Sequence, residues 1–147
     1  MTLYTIGFTQ KSAEQFFERI KYYGIQMLID VRLYNKSQLT GFTNGRDMPY
    51  LLGEICHCGY EHKVNYAPTK KILTSYREKR ITWPEYEMQY RFIIDERSAV
   101  REFITSYDGR YESVCLLCAE PTPERCHRRL LAEMIRDELP DTEIILI

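Results

Sequence analysis

The chain has 147 residues, of which 44% are hydrophobic and 28% charged, values typical of a single globular domain with a buried core. Its 20 basic and 21 acidic residues give a net charge of -1, which excludes an overall attraction to nucleic acid or anionic membranes but not a local basic patch. Since no run of about 18 apolar residues and no export leader is visible, we expect a cytoplasmic protein without a membrane partner, whose five cysteines are reduced thiols.

Apolar runs typical of strands alternate along the chain with amphipathic stretches typical of helices. The first helix is predicted to begin with a capping box, because Gln15 follows Ser12 at a distance of three residues, and to end at Gly24. The predicted elements in chain order are strand 3–8, the helix between Ser12 and Gly24, strand 25–31, loop 35–47, helix 48–56, strand 59–64, helices 69–79, 83–94 and 98–107, strand 113–119, helix 126–138 and strand 143–147.

This alternation predicts one α/β domain over residues 1–147. We expect three layers, with a mostly parallel central sheet of about five strands and helices on both faces, in the manner of a Rossmann-like fold. Sheets of this kind bind ligands beyond the carboxyl ends of their strands. Three segments are predicted to lie at that edge, namely 7–9, 30–32 and 118–120.

The segment after strand 113–119 carries the strongest signal for a site. A proline-containing loop leads to a helix predicted to begin at Cys126, whose first turn offers unpaired backbone N–H groups and the positive end of the helix dipole. Arg125, Arg128 and Arg129 add cations at this end, where a cation is mildly unfavourable unless an anion is bound. We therefore predict an anion site here, the alternative being arginines that are solvated or pair with nearby glutamates.

Four residues near the strand ends are candidate catalytic groups. A helix N-terminus and nearby cations activate thiols, so Cys126 is a candidate nucleophile, with His127 or Glu120 transferring protons; a buried structural cysteine is the alternative. Asp30 and Glu120 would form an acid–base pair if their strands are adjacent. Asp30 and Arg32 lie two residues apart and face the same side, so a structural ion pair between them is the alternative.

Other polar groups give weaker signals. Tyr4, Thr9 and Ser37 are candidates for hydrogen bonds to a ligand. A basic stretch at 70–80 is interleaved with Tyr76 and Trp83, a combination that fits single-stranded nucleic acid. A solvated helix face is the preferred interpretation of that stretch, because the overall charge is close to neutral.

No metal or other cofactor is expected. Cys115 and Cys118 have a spacing that metal ligands use, but residues i and i+3 of a strand point to opposite faces, so this pair should not chelate. A zinc site would require the distant segments 56–58 and 126–127 to converge, and the two clean ligand pairs of most structural zinc sites are not seen.

Several blocks of the sequence are similar to one known family. The triplets Cys-Ala-Glu at 118–120 and Cys-His-Arg at 126–128 are the most specific of them, and blocks at 4–9, 28–32 and 37–42 occur in the same order. On these blocks the chain resembles, over nearly its whole length, the family called domain of unknown function 488. The resemblance implies a compact α/β domain of the bacterial and archaeal cytoplasm and implies no settled activity.

The chain departs from the pattern of this family in two places. It has Phe8 and Thr9 after Gly7, where the family more often has Gly-His-Ser, and it lacks the proline that is common after Arg32. The resemblance therefore leaves open whether this member keeps any role of the usual histidine.

These signals together predict an enzyme that acts on a phosphate-bearing small molecule such as a nucleotide or nucleoside derivative, or on a nucleic-acid end. Arg32, Arg125 and Arg128 would hold the anion, and a tyrosine-rich rim would stack on a base. A module that binds a nucleotide or nucleic acid without catalysis is one alternative, and a metal-dependent hydrolase is another. The oligomeric state is left open.

Overall fold

The structure, a computed structural model, describes residues 1–120 and 122–147, and of position 38 it describes the backbone only. Within these ranges the strands are β1 (Thr2–Gly7), β2 (Met27–Asp30), β3 (Gly59–His62), β4 (Ser113–Cys118) and β5 (Glu143–Leu146). They form one sheet in the order β3-β2-β4-β1-β5, and every pairing is parallel. The predicted five-stranded parallel sheet is confirmed, and β2 and β4 are neighbours.

The helices lie close to their predicted positions. The capping box is present, since the Ser12 hydroxyl accepts from the Gln15 backbone N–H and the Gln15 side chain accepts from the Ser12 N–H. Two 3-10 helices were not predicted, at Gln38–Thr43 within the expected loop and at Val64–Tyr66 directly after the third strand. The α-helices are α1 (Ala13–Tyr22), α2 (Met48–Cys56), α3 (Lys70–Arg77), α4 (Trp83–Glu96), α5 (Ala99–Tyr107) and α6 (His127–Glu138).

The helices cover both faces of the sheet, which confirms the three-layer α/β class. On one face, buried side chains of α1 and α2 such as Phe16 and Leu52 pack in one core cluster with Cys115 and Leu117 of β4. On the other face, buried side chains of α3 to α6 pack in a second cluster with the alternate residues of β4, including Cys118. The strand period of two therefore separates Cys115 from Cys118, as predicted. No helix in the described ranges is both long and apolar enough to cross a membrane.

The strand order creates a switch point at the carboxyl end of β4. The helices that follow β1 and β2 lie on one face of the sheet, whereas α6, which follows β4, lies on the other. β4 lies between β2 and β1, so the chain leaves neighbouring strand ends in opposite directions and opens a crevice there. This crevice is where ligands bind in open α/β sheets.

Candidate functional site

A pocket of about 720 Å³ lies at the carboxyl ends of β2 and β4, within the size range of small-molecule sites. We call it the strand-end pocket. Its lining comes from residues 32–34 after β2, 118–120 at the end of β4 and 125–127 at the start of α6. The remaining lining comes from parts of 68–86, which include α3, the α3–α4 turn and the first turn of α4. Two strand ends and a helix N-terminus thus form its base, and a helical hairpin covers it.

The hairpin brings aromatic and basic side chains over the pocket. The ring of Trp83 stacks on that of Tyr86 at 4.9 Å between centroids, and Tyr76 packs against Trp83 at 5.7 Å. In the turn, Lys79 has a φ of 59°, and its N–H donates to the carbonyl of Tyr76 in a helix C-terminal motif that favours glycine. A lysine in this left-handed conformation is strained, and its side chain lines the pocket.

The charge of the pocket is positive. Arg77, Lys79 and Arg125 line it, and none of them forms an ion pair among residues 1–120 and 122–147. Arg32 lines it as well, but its charge is matched by Asp30. Glu120 is the carboxylate of the lining and is exposed at its rim.

Asp30 lies behind the pocket rather than in it. Its carboxylate is fully buried and accepts hydrogen bonds from Nε and Nη2 of Arg32 at 2.8 and 2.6 Å and from the Tyr60 hydroxyl at 2.6 Å. The structural ion pair, considered as the alternative, is thus what the geometry contains. Although β2 and β4 are adjacent, Asp30 and Glu120 do not meet in one open hollow, because Asp30 is enclosed by its donors.

Besides the ion pair with Asp30, Arg32 contacts Thr43 and Phe8. Thr43 accepts from Nη1 through its hydroxyl at 3.2 Å and from Nη2 through its carbonyl at 2.7 Å, and the Phe8 ring lies 5.2 Å from the guanidinium carbon. Burial opposes the charge, but the hydrogen bond and charge of Asp30 raise the pKa of Arg32 above its ordinary value. Phe8, which stands where the family more often has histidine, therefore serves here as an aromatic face for this cation.

Three potential metal ligands meet at the floor of the pocket. Cys118, Cys126 and His127 are each at most 6% exposed, and their sulfur and nitrogen ligand atoms all lie within 4.8 Å of one another. We call them the thiol–imidazole cluster. His127 donates from Nε2 to the carbonyl of Val31 at 2.7 Å, while its Nδ1 lies 3.9 Å from Cys118 Sγ and 3.4 Å from the Tyr86 hydroxyl.

The two thiols of the cluster are coupled. A hydrogen bond from Cys126, helped by the charge of Arg128, lowers the pKa of Cys118 despite its burial. The same contact and burial raise the pKa of Cys126, which is the donor. The thiolate of the pair is therefore favoured at Cys118, whereas the sequence pointed to Cys126 as the reactive thiol.

Arg128 lies beneath the cluster and does not line the pocket. It is fully buried, and its Nη1 donates to the Glu120 carbonyl at 2.7 Å and to Cys126 Sγ at 3.4 Å. Its Nε and Nη2 have no hydrogen-bond partner among the described residues, which also offer no carboxylate within ion-pair distance. Arg129, by contrast, pairs with Glu133 at 2.7 Å.

Three of the predicted ligand-binding residues lie elsewhere. Tyr4 packs its ring on Tyr23 at 5.5 Å on the α1 side of the sheet. The Thr9 hydroxyl donates to the Ala119 carbonyl at 2.7 Å and so ties the loop after β1 to the loop after β4. Ser37 caps the 3-10 helix Gln38–Thr43 by accepting from the Leu39 N–H. None of the three lines the strand-end pocket.

Sequence reasoning underrated two parts of the site. The preferred sequence interpretation of the basic stretch at 70–80, with Tyr76 and Trp83, is a solvated face, yet part of this stretch and both rings line the pocket. The alternation of rings and cations is the signal that could have found the hairpin. Cys118 is not among the candidate catalytic residues of the sequence, yet its position at the end of β4 brings it to the pocket floor. The zinc set considered at 56–58 is not formed, because Cys58 is buried in the cluster on the opposite face of the sheet.

Fold and site together define a parallel α/β domain with a basic, aromatic pocket at a topological switch point. The family model described as Domain of unknown function DUF488 matches residues 12–135, and the chain belongs to this family. The resemblance seen in the sequence blocks is thereby confirmed. Neither the curated proteins nor the solved structures compared with the chain contain a match.

Proposed function

We propose that this protein is an enzyme that acts on a nucleotide, or on another phosphate-bearing small molecule, held in the strand-end pocket. The observation that carries the proposal is that Arg77, Lys79 and Arg125 line this pocket beside Trp83 without an ion-pair partner among the described residues. Cations that converge from two segments onto one concavity repel each other, and an anion relieves that repulsion.

The cations suit a phosphate group. A charge-assisted hydrogen bond from an arginine or lysine contributes about 1.5 to 3 kcal/mol. Micromolar affinity corresponds to about 8 kcal/mol, so two such contacts do not reach it without additional contacts. Since Arg77, Lys79 and Arg125 are exposed at the rim, their attraction is screened by salt. Affinity for the phosphate compound should therefore fall as the ionic strength rises.

The aromatic side chains suit a planar base. Tyr76, Trp83 and Tyr86 lie together on the covering hairpin, and stacking of a base on an aromatic ring contributes about 1 to 3 kcal/mol. Phosphate contacts and base stacking in one pocket support a nucleotide over inorganic phosphate. The pocket volume and the net charge of -1 favour a small molecule over a nucleic-acid end, which offers the same chemistry.

Groups able to do chemistry line the same pocket. Glu120 is exposed at the rim and is the candidate for proton transfer to or from the bound molecule. Cys118, Cys126 and His127 lie at the floor. Asp30 acts as a positioning residue, because its carboxylate orients the Arg32 guanidinium through two hydrogen bonds. This arrangement supports an enzyme over a module that only binds.

The cysteines support the cytoplasm as the compartment of this activity. The cysteines of the chain are free, including the neighbouring Cys118 and Cys126. Thiols that lie this close stay reduced in the cytoplasm and tend to oxidise outside it.

Trp83 is the single tryptophan of the chain and gives a direct test of occupancy. Nucleoside monophosphates and their matched nucleosides are titrated into the protein while Trp83 fluorescence is recorded. We expect quenching by at least one monophosphate and a much weaker effect of its nucleoside. Arg77→Gln and Arg125→Gln should each weaken the monophosphate about 10-fold, which corresponds to about 1.4 kcal/mol. Lys70→Gln, an exposed change on α3 away from the pocket, is the matched control.

Turnover is measured separately by chromatography of a mixed nucleotide pool incubated with the protein. We expect one compound to be consumed, and Glu120→Gln to abolish consumption while the quenching persists. Quenching without consumption in the unmodified protein would favour the binding module. The absence of quenching by every phosphate compound, or equal losses in Lys70→Gln and Arg125→Gln, would reject the proposal.

A further inference from the structure

The thiol–imidazole cluster has the donor set and spacing of a metal centre. In a tetrahedral zinc site with Zn–S of about 2.3 Å and Zn–N of about 2.0 Å, ligand atoms lie about 3.5 to 3.8 Å apart. Cys118 Sγ lies 3.9 Å from His127 Nδ1, and all ligand atoms of the cluster fall within 4.8 Å. Shifts of less than about 1 Å would therefore close the three ligands around one ion.

The surroundings of the imidazole also match those of a metal ligand. A histidine that binds a metal almost always donates its other ring N–H to a carbonyl or carboxylate, which fixes the ring. Cys118 Sγ lies 3.9 Å from both ring nitrogens of His127. Because Nε2 donates to the carbonyl of Val31 at 2.7 Å, Nδ1 is the nitrogen left to bind an ion. The Tyr86 hydroxyl lies 3.4 Å from Nδ1, and a bound ion would displace this contact.

The buried charge beneath the cluster points to thiolates. A guanidinium keeps its proton in proteins, and burying it without an anion is costly. Arg128 is fully buried, and its contacts among the described residues are a carbonyl oxygen and Cys126 Sγ at 3.4 Å. Cysteine binds metals as the thiolate, so an ion bound by Cys118 and Cys126 would place two sulfur anions next to this cation.

We infer that Cys118, Cys126 and His127 bind one zinc ion and leave its fourth position open to the strand-end pocket. All three residues line that pocket, as the three-ligand arrangement of a catalytic site requires. The ion, two thiolates and Arg128 together carry one positive charge, which an anionic fourth ligand neutralises. If the protein has the function proposed above, that ligand is a phosphate oxygen of the substrate or a hydroxide.

The test uses the reduced full-length chain and does not depend on activity. The zinc content of protein purified without chelators is measured, and stripped protein is then titrated with Co²⁺ alone. We expect one Co²⁺ per chain, with a thiolate-to-cobalt charge-transfer band and visible bands of tetrahedral intensity. Cys118→Ser, Cys126→Ser and His127→Gln should each weaken Co²⁺ binding about 100-fold or more. Cys56→Ser, half-buried on the other face and bonded to the Phe17 carbonyl, is the matched control.

A second measurement covers variants that fail to fold. Alkylation of the unmodified protein with and without Zn²⁺ is mapped by mass spectrometry, and Zn²⁺ should protect Cys118 and Cys126 but not Cys56. The absence of stoichiometric Co²⁺ binding, or protection at Cys56 as well, would overturn the inference.

Inorganic phosphate separates this inference from the proposed function. Added to the cobalt protein, phosphate should shift the visible bands, and the shift should shrink in Arg125→Gln, which leaves the ligands intact. Metal binding without a phosphate response or nucleotide quenching would uphold the zinc site and reject the proposed substrate class. Nucleotide quenching in a protein that binds no Co²⁺ would uphold the pocket and reject the zinc site.

Discussion

Neutralising Asp30 should destabilise the fold more than any surface substitution. In Asp30→Asn the Arg32 guanidinium, 5% exposed, keeps its charge but loses the carboxylate that takes its Nε and Nη2 hydrogen bonds. Removing one partner of a buried ion pair costs about 3 to 5 kcal/mol. The two hydrogen bonds that Arg32 donates to Thr43 remain, so the lower half of that range is expected. This is a large share of the about 5 to 15 kcal/mol that stabilises a typical domain.

Urea unfolding followed by far-ultraviolet circular dichroism measures the effect. With a slope of about 1 to 3 kcal/mol per molar urea, the midpoint of Asp30→Asn should fall by about 1 to 4 M. Asp47→Asn is the matched control, because the Arg46–Asp47 pair is exposed and the Asp47 side chain does not cap α2. Its midpoint should be unchanged within error.

The double variant Asp30→Asn with Arg32→Met tests the cause. It removes the orphaned charge together with its partner, so it should be no less stable than Asp30→Asn alone. A midpoint for Asp30→Asn equal to that of Asp47→Asn, or a double variant that shows the sum of two independent losses, would refute this account of the pair.

Three further changes have expected outcomes. Gly45→Ala should cost about 1 to 3 kcal/mol in urea unfolding, because its Cβ would lie 2.1 Å from Asn35 Nδ2, whereas Gly59→Ala should cost less. Lys79→Gly should stabilise the fold by about 0.5 to 1 kcal/mol, since glycine relieves the left-handed strain, while weakening nucleotide binding. Glu102→Gln should lose less stability on acidification than the unmodified protein. Burial opposes ionisation of Glu102, but hydrogen bonds from neighbouring side chains hold its pKa below the ordinary value, so the ionised carboxylate stabilises the fold.

The controls follow from the same contacts. The Gly59 Cβ would meet the flexible end of Met27 at 2.8 Å, which can move, so equal costs at both glycines would contradict the packing argument. Lys79→Ala removes the same charge but keeps a Cβ, and a gain in stability there would show that strain is not the cause. For Glu102, donors Tyr66 and Lys63 stabilise the ionised form in the folded state.

The direction of the pH effect follows from that lowered pKa. A carboxyl whose pKa is lower when folded contributes its stability above the unfolded pKa, about 4.3, and loses it as the pH falls through the folded value. The difference between the urea midpoints at about pH 7 and about pH 3 should therefore be smaller for Glu102→Gln than for the unmodified protein. An identical pH dependence of the two proteins would contradict the assignment.

The elements of the fold were predictable because local signals agree in them. The apolar run at 113–119 and the capping box at Ser12 each report a short-range preference, and helix 48–56 was predicted to the residue. The strand order was not predictable, since the placement of β4 between β2 and β1 depends on crossovers that span most of the chain.

The site was predictable only where it follows strand ends. The rule that ligands bind beyond the carboxyl ends predicted 118–120, which lines the pocket, and 7–9, which does not. It says nothing of a hairpin inserted between β3 and β4. The i, i+2 spacing of Asp30 and Arg32 predicted that they share a side, but not that Tyr60 would close over the carboxylate from the neighbouring strand. Contacts with residues distant in sequence determine whether such a polar side chain is exposed in a pocket or buried.

The division of the pocket between two separate stretches of chain has an evolutionary consequence. The candidate reactive side chains come from the ends of β2 and β4 and the start of α6, whereas the cover is one contiguous stretch within 68–86. Insertions or replacements in that stretch can alter which molecule is admitted while the sheet still presents the same reactive groups. If the pocket binds a substrate as proposed, exchange of this one segment changes the specificity and leaves the reactive groups in place.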